Sequence, residues 1–260
     1  MIMKRRVALN GVELDSLDER IVISGIDEAA GKDSITAVGS AAGCGQRITG
    51  QKRDTLDVTV KFMMAIRSDD MAAREELLEA VNGWAAEGGW LTVDHRPGRR
   101  LMVVLAPAPG SGDMFSWANE FTVVFRAYSV PYWTDSEATT AVSKNASSGS
   151  VSIEVPGNTK TVADIKIENM SGQAINNITV NVDGNEMVFK NLGMGGTAKM
   201  TLDHVQQAGL FYFRARIGST SVMAKRTGAN DFYARPGSRT VTFSADRAVR
   251  VTASVRGRYL

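Results

Sequence analysis

Two histidines, one cysteine and a few paired carboxylates are the side chains of this 260-residue chain that could carry chemistry. His95 stands beside the Pro97-Gly98 turn and His204 follows Asp203 near a strand end, so a nucleophile–histidine–acid triad would have to use one of them. Neither has a Gly-x-Ser-x-Gly elbow or a comparable nucleophile in its sequence context. Cys44 sits in Gly43-Cys44-Gly45, with no histidine near it in sequence. Gly193-Met194-Gly195-Gly196 lacks the Lys-Ser/Thr that completes a phosphate loop, and it reads as a turn. Two histidines and one cysteine, far apart, do not make zinc spacing, and no Asp-x-Asp-x-Asp-Gly loop points to calcium. Asp69-Asp70 and Glu75-Glu76 suit the first turns of a helix, where negative charge offsets the macrodipole. The expectation is therefore a non-enzymatic protein with no catalytic residues, no cofactor and no metal.

The elements around these residues fall into two unlike halves. All four tryptophans, Trp84, Trp90, Trp117 and Trp133, lie at or before the run Tyr128-Ser129-Val130-Pro131-Tyr132-Trp133. Pro131 fixes its own backbone and holds Val130 extended, so the run reads as a strand end and a domain exit. Asp135 to Ser150 is Ser-, Thr-, Ala- and Asn-rich, a linker composition. The expected organisation is a first domain over 1–134, a linker over 135–150 and a β-sandwich over 151–260.

In the first half, Leu56, Val58, Val60, Phe62, Met64 and Ile66 alternate with residues of the other face, a half-buried strand. Ser68-Asp69-Asp70 offers a helix start, and Ala73, Leu77, Val81, Trp84 and Ala85 form one helical stripe that Gly88-Gly89 ends. Arg96-Pro97-Gly98-Arg99 suits a type II turn between two strands. Pro107 to Gly112 reads as a loop. Gly25 to Gly50 shows weak periodicity and reads as a loop or arm that orders against a partner. The second half is strand and turn, with Asp183-Gly184 a strong hairpin signal and eight or nine short strands that suit a two-sheet sandwich.

The net charge of +2 is uneven. Residues 1–134 hold 15 Lys+Arg against 18 Asp+Glu, and 135–260 hold the remaining 15 against 10, which gives −3 and +5. In Val249 to Arg256 the arginines alternate with apolar residues, as on the wet face of a sheet. Aromatic stacking partners and nucleic-acid motifs are absent, so no nucleic-acid readout is expected. No signal peptide or membrane-spanning run is expected either. A carbohydrate-binding sandwich is the alternative reading, with Tyr212, Phe232, Tyr233 and Tyr259 as the aromatic stand-ins for a sugar-stacking tryptophan.

The order of these parts resembles a known family. Leu9-Asn10-Gly11-Val12-Glu13-Leu14 opens the first domain, and Phe125 to Trp133 closes it with the Pro-Tyr-Trp junction. Asp231-Phe232-Tyr233-Ala234-Arg235-Pro236-Gly237 leads into the late strand ending at Phe243. Together they are similar to the distal tail proteins of bacteriophages with long non-contractile tails. The resemblance implies a mainly β chain with one notable helix: an α+β, split-barrel-like ring domain followed by a galectin-like β-sandwich. It implies a structural role in the virion, as a homo-hexameric ring at the distal end of the tail, made in the bacterial host cytoplasm. The ring would join the tail-tube protein to the hub or tail-associated protein. Ala41 to Asp54, with Arg47, Lys52, Arg53 and Asp54, is the expected subunit or partner interface, and Ala106 to Asp113 is expected near it. Pro131, Tyr132 and Trp133 are the expected domain junction, with Tyr132 and Trp133 packed back onto the first domain.

Overall fold

The computed structural model describes residues 5–29, 32–39, 46–66, 70–106, 120–207 and 209–260, with backbone alone at 32–33, 38–39 and 46–52. The chain is mainly β with one α-helix among the described residues. It divides into two compact units, Met1–Tyr132 with Gln206–Leu210, and Trp133–Val205 with Phe211–Leu260.

The first unit is an antiparallel sheet in the order Val12–Glu13, Val7–Leu9, Gly89–Val93, Arg99–Leu105, Glu120–Ala127, Gln46–Met64, Ile21–Glu28. Alternation sets its faces: Leu56, Val58, Val60, Phe62 and Met64 are buried, and across the ladder so are Phe121, Val123 and Phe125. The helix Met71–Ala86 lays Leu77, Val81 and Ala85 on this apolar face. Trp84 meets Phe125 edge-on at 5.6 Å between ring centroids and donates its indole N–H to Val12 O at 3.0 Å. Asp70 caps the helix by accepting from Ala73 N at 3.1 Å, as its residue type suggests; Ser68 and Asp69 lie outside the described residues. Gly88 and Gly89 stop the helix at φ +62° and +126°. The sheet curls: Glu28, at the end of one outer strand, accepts from Arg96 Nε at 3.1 Å and Nη2 at 2.7 Å, although the strands Glu120–Ala127 and Gln46–Met64 lie between its strand and the hairpin that carries Arg96.

Within Gly25 to Gly50, expected as a loop or arm, the described residues are largely strand. Ile21–Glu28 and Lys32–Gly39 are strands, and Gln46–Met64 is one strand of 19 residues. Its half at 58–64 pairs with Ile21–Glu28, and 56–63 pairs with Glu120–Ala127. Its half at 46–55 pairs with Lys32–Gly39. Weak side-chain periodicity did not signal these strands; the described side chains Ser34 to Ala37 are all exposed, so no alternation marks them.

In the second unit the strands follow the order Thr220–Ser221, Leu210–Ile217, Lys199–Gln207, Thr161–Asn169, Gly237–Val255, Ile178–Val182, Asn185–Phe189, Arg226–Gly228. Gly237–Val255 organises the unit. Its first half lies between Ala146–Val155 and Ile178–Val182, and its second half between Thr139–Val142 and Thr161–Asn169. Buried Ile153, Ile167, Met187, Phe189, Phe232, Val241 and Val251 belong to one core. The segment 135–150, expected as a linker, is instead largely strand. Its Ser and Thr side chains need no burial, because a sheet edge holds them through backbone bonds to Gly237–Val255. The Asp183-Gly184 turn has φ +47° and +90°, the left-handed pair that a two-residue hairpin requires.

Candidate functional site: the arm and the junction

The ribbon of Lys32–Gly39 and residues 46–55 leaves the sheet of the first unit as two strands. Ser34, Ile35, Thr36 and Ala37 are all exposed, Ile35 at 57%. A two-stranded ribbon is only marginally stable by itself in water. Of the expected interface residues, the side chains of Arg47 and Lys52 lie outside those described, as do Cys44, the segment 40–45 and residues 107–113. Ala106 is buried and donates its N–H to Val124 O at 2.8 Å. Asp54 is half-buried at the ribbon's base.

Arg53 takes an unforeseen place. Its guanidinium carbon lies 5.6 Å from the centroid of the Tyr132 ring, a cation–π approach between the ribbon's base and the last residue of the Met1–Tyr132 segment of the first unit. Nothing in the local sequence of either residue signals this contact, since 79 positions separate them along the chain.

Nearby, Arg126 makes a bidentate bond to Asp57, Nε to Oδ1 at 2.6 Å and Nη2 to Oδ2 at 2.7 Å, on the face of the sheet opposite the helix. The two residues are register partners on adjacent strands, so the ladder itself brings them together.

At the junction, Pro131 is buried and Tyr132 half-buried. Trp133 is wholly buried, and it opens the second unit rather than closing the first. Trp133–Asp135 pairs with Arg258–Tyr259, Trp133 facing Tyr259. Asp135 fixes the pairing: its N–H donates to Gly257 O at 3.1 Å, and its carboxylate accepts from Gly257 N at 3.0 Å and Tyr259 Oη at 3.3 Å. A Cβ on Gly257 would stand 2.5 Å from Asp135 Oδ2, so glycine is required there by space.

The histidines have full hydrogen-bond complements. His95 Nε2 lies 2.6 Å from Glu28 Oε1, and its Nδ1 lies 3.3 Å from Asp94 Oδ1. His204 is 3% exposed in its side chain; Nδ1 lies 2.8 Å from Asp164 Oδ1, and Nε2 bonds Asp231 Oδ1. Its ring stacks on Phe211 at 5.5 Å. Burial disfavours charge on this imidazole, but the two facing carboxylates outweigh it and raise the pKa. Burial likewise works against the Asp231 carboxylate, and His204 overcomes it and lowers that pKa. Each ring nitrogen of both histidines faces a carboxylate, which leaves none directed at a hydroxyl or thiol nucleophile. Among the described residues no cluster of three or more His, Cys, Asp or Glu is arranged to hold a metal. No helix among them is long and apolar enough to cross a membrane.

The aromatic stand-ins for a sugar site are dispersed in role. Phe232 is core; Tyr233, 37% exposed, has the Lys160 ammonium 5.5 Å over its ring. In Val249 to Arg256, Val249, Val251, Ala253 and Val255 are buried and the arginines lie on the outer face. Arg250 and Arg256 bond Asn145 Oδ1 and the Ser136 carbonyl, neutral acceptors that leave the excess charge uncompensated.

Over its whole length this chain has the fold of a siphophage distal tail protein. The SPP1 Dit (gp 19.1) protein, described as a paradigm of the hub adsorption apparatus in Gram-positive-infecting phages, matches 98% of this chain and 99% of its own. The TM-score is 0.69 and the sequence identity 12%. Chains of the phage P2 baseplate in its activated conformation with Ca and with Sr match at TM-scores of 0.46 and 0.47, each at 7% identity. They cover 98% and 97% of both chains, respectively. No protein-family model and no curated protein sequence matches the chain. At 12% identity the likeness to SPP1 Dit is one of fold.

Proposed function

We propose that this chain is a structural, non-enzymatic component of a phage tail tip. In this reading it is a distal tail protein whose first unit assembles as a homo-hexameric ring between the tail-tube protein and the hub or tail-associated protein. The second unit is then a galectin-like sandwich on the outside of the ring, and the protein resides at the distal end of the virion tail, of an infecting phage or a resident prophage, after synthesis in the host cytoplasm. One observation carries the ring: the ribbon at 32–39 and 46–55 leaves the sheet as two strands and exposes the side chains of Ser34, Ile35, Thr36 and Ala37. A closed ring needs a heterologous contact, one patch of each copy against a different patch of the next, and a projecting ribbon supplies one half of it. Arg47, Lys52, Arg53 and Asp54 then lie along or at the base of the contacting segment. Pro131, Tyr132 and Trp133 act as the neck between units.

Light scattering and negative-stain imaging of the purified chain test this. A six-fold ring is expected, and deletion of residues 41–50 is expected to lower the mass to that of a single chain while circular dichroism stays near wild type. A deletion variant that still forms the same ring removes the ribbon from the interface. A wild-type chain that forms no ring, alone or with its tube protein, removes the ring itself.

A further inference from the structure

In the second unit, the latter half of Gly237–Val255 and the strands Thr161–Asn169 and Lys199–Gln207 bury Ile165, Ile167, Leu202, Val251 and Ala253 and turn their alternate, polar residues outward. On that outer face the register sets Asp164 opposite Ser254 and places Lys166 between Thr201 and Thr252. Thr201 and Ser254 are short where their neighbours are long. A half-open cavity of about 270 Å³ lies over them, lined also by Asp164, Lys166, Arg256 and Ala138, all of the second unit. Its volume is just under the roughly 300–1,000 Å³ usual for small-molecule sites, so it suits a small molecule rather than a polypeptide.

The charge around the cavity is positive. Glu168 is divided between Lys166 and Lys199, each at 3.1 Å, and Asp203 between Arg214 and Arg216 at 2.6 and 3.9 Å. Arg256 donates to the carbonyls of Asp135, at 3.4 Å, and Ser136, acceptors with no formal charge, and these bonds hold the segment that carries Ala138 as one wall. Asp164 turns Oδ1 to His204, 2.9 Å from its backbone N and 2.8 Å from Nδ1, so its charge is directed at the imidazole. These residue types define a ligand. An ammonium and a guanidinium at one cavity favour an oxyanion, while the Thr201 and Ser254 hydroxyls and the second oxygen of Asp164 suit the hydroxyls of its carrier. None of the lining residues is aromatic, so a pyranose ring would have no surface to stack on. We propose that this cavity binds the phosphate monoester of a small acyclic polyol: the phosphate meets Lys166 and Arg256, and the polyol meets Thr201, Ser254 and Asp164.

The site is built from one chain and does not rest on the ring. Isothermal titration calorimetry of the full chain at low ionic strength tests it, with the terminal monoester glycerol phosphate as the probe and with glycerol and inorganic phosphate as its two halves. A Kd on the order of 1 mM is expected for the ester, with either half binding at least about tenfold more weakly. Lys166→Glu puts a carboxylate where the phosphate sits and should weaken binding by about tenfold or more. Ser254→Leu fills the cavity without changing the charge and should abolish binding. Both positions lie on the outer face of the sheet, so circular dichroism of both variants should match wild type. The proposal is overturned if the wild-type chain does not bind the ester at about 10 mM, or if inorganic phosphate binds as tightly as the ester. Binding that is lost in Lys166→Glu but kept in Ser254→Leu would belong to the basic face at large, and it overturns the cavity as the site.

Discussion

Replacing Trp133 by alanine is expected to destabilise the second unit by about 4 kcal/mol, the size usual for emptying a buried tryptophan site. Among the described residues Trp133 is the largest fully buried side chain. Its strand is only three residues long, Trp133–Asp135, so backbone pairing with Arg258–Tyr259 cannot hold it without the side chain. The measurement is urea unfolding followed by circular dichroism, with amide exchange of 161–169 reporting the second unit specifically. At a slope of about 2 kcal/mol per molar urea, the midpoint should fall by about 2 M. Trp133→Phe should recover more than half of the loss, since the ring volume rather than the indole N–H fills the site. A Trp133→Ala midpoint within about 0.3 M of wild type would show that the start of the second unit is not anchored by this residue.

The second large effect is expected at His204 and is a function of pH. A raised folded-state pKa means that the protonated imidazole stabilises the fold. That stabilisation is complete below the ordinary histidine value of about 6.5 and is lost as pH rises through the raised folded value. Asp231 has the opposite sign. Its lowered pKa stabilises the fold above the ordinary carboxylate range, and the gain is lost as pH falls through the lowered value. The cluster therefore contributes most between about pH 4 and 6.5. His204→Gln can donate from its side chain to one carboxylate at most, and it leaves Asp164 or Asp231 with its backbone donor alone of the two. At pH 5.5 it should cost about 3 kcal/mol, near the lower end for breaking a buried ion pair, because Asp164 retains solvent contact. Urea midpoints across pH 5.5 to 9 should slope downward in the wild type and much less in the variant. Equal slopes in both would place the titrating group elsewhere.

What could be read along the chain was local. The helix at 71–86 shows its stripe and its Asp70 cap within a few turns, and Asp183-Gly184 states its hairpin in two residues. The alternating strand from Leu56 was equally plain, because one face is buried and the other is not. Where the sequence signal failed, the determining partner was distant or was backbone. The ribbon strands and 135–150 are held by main-chain bonds that do not constrain side-chain type. His204 finds its carboxylates 40 and 27 positions away. Asp135 finds Tyr259 at a separation of 124. Arg53 was placed in the expected interface segment by its position alone. Its approach to Tyr132 required the sheet to bring the base of the ribbon beside the end of the first unit.

The pairing of Trp133–Asp135 with Arg258–Tyr259 brings the entrance and the exit of the second unit side by side. A unit with adjoining ends can be spliced, duplicated or exchanged as a cassette, because whatever precedes and follows it in the chain meets at one place. A segment joined after Leu260 would emerge beside the entrance strand and share one attachment point with the second unit, whereas removing residues 258–260 would unfasten the strand that begins the unit.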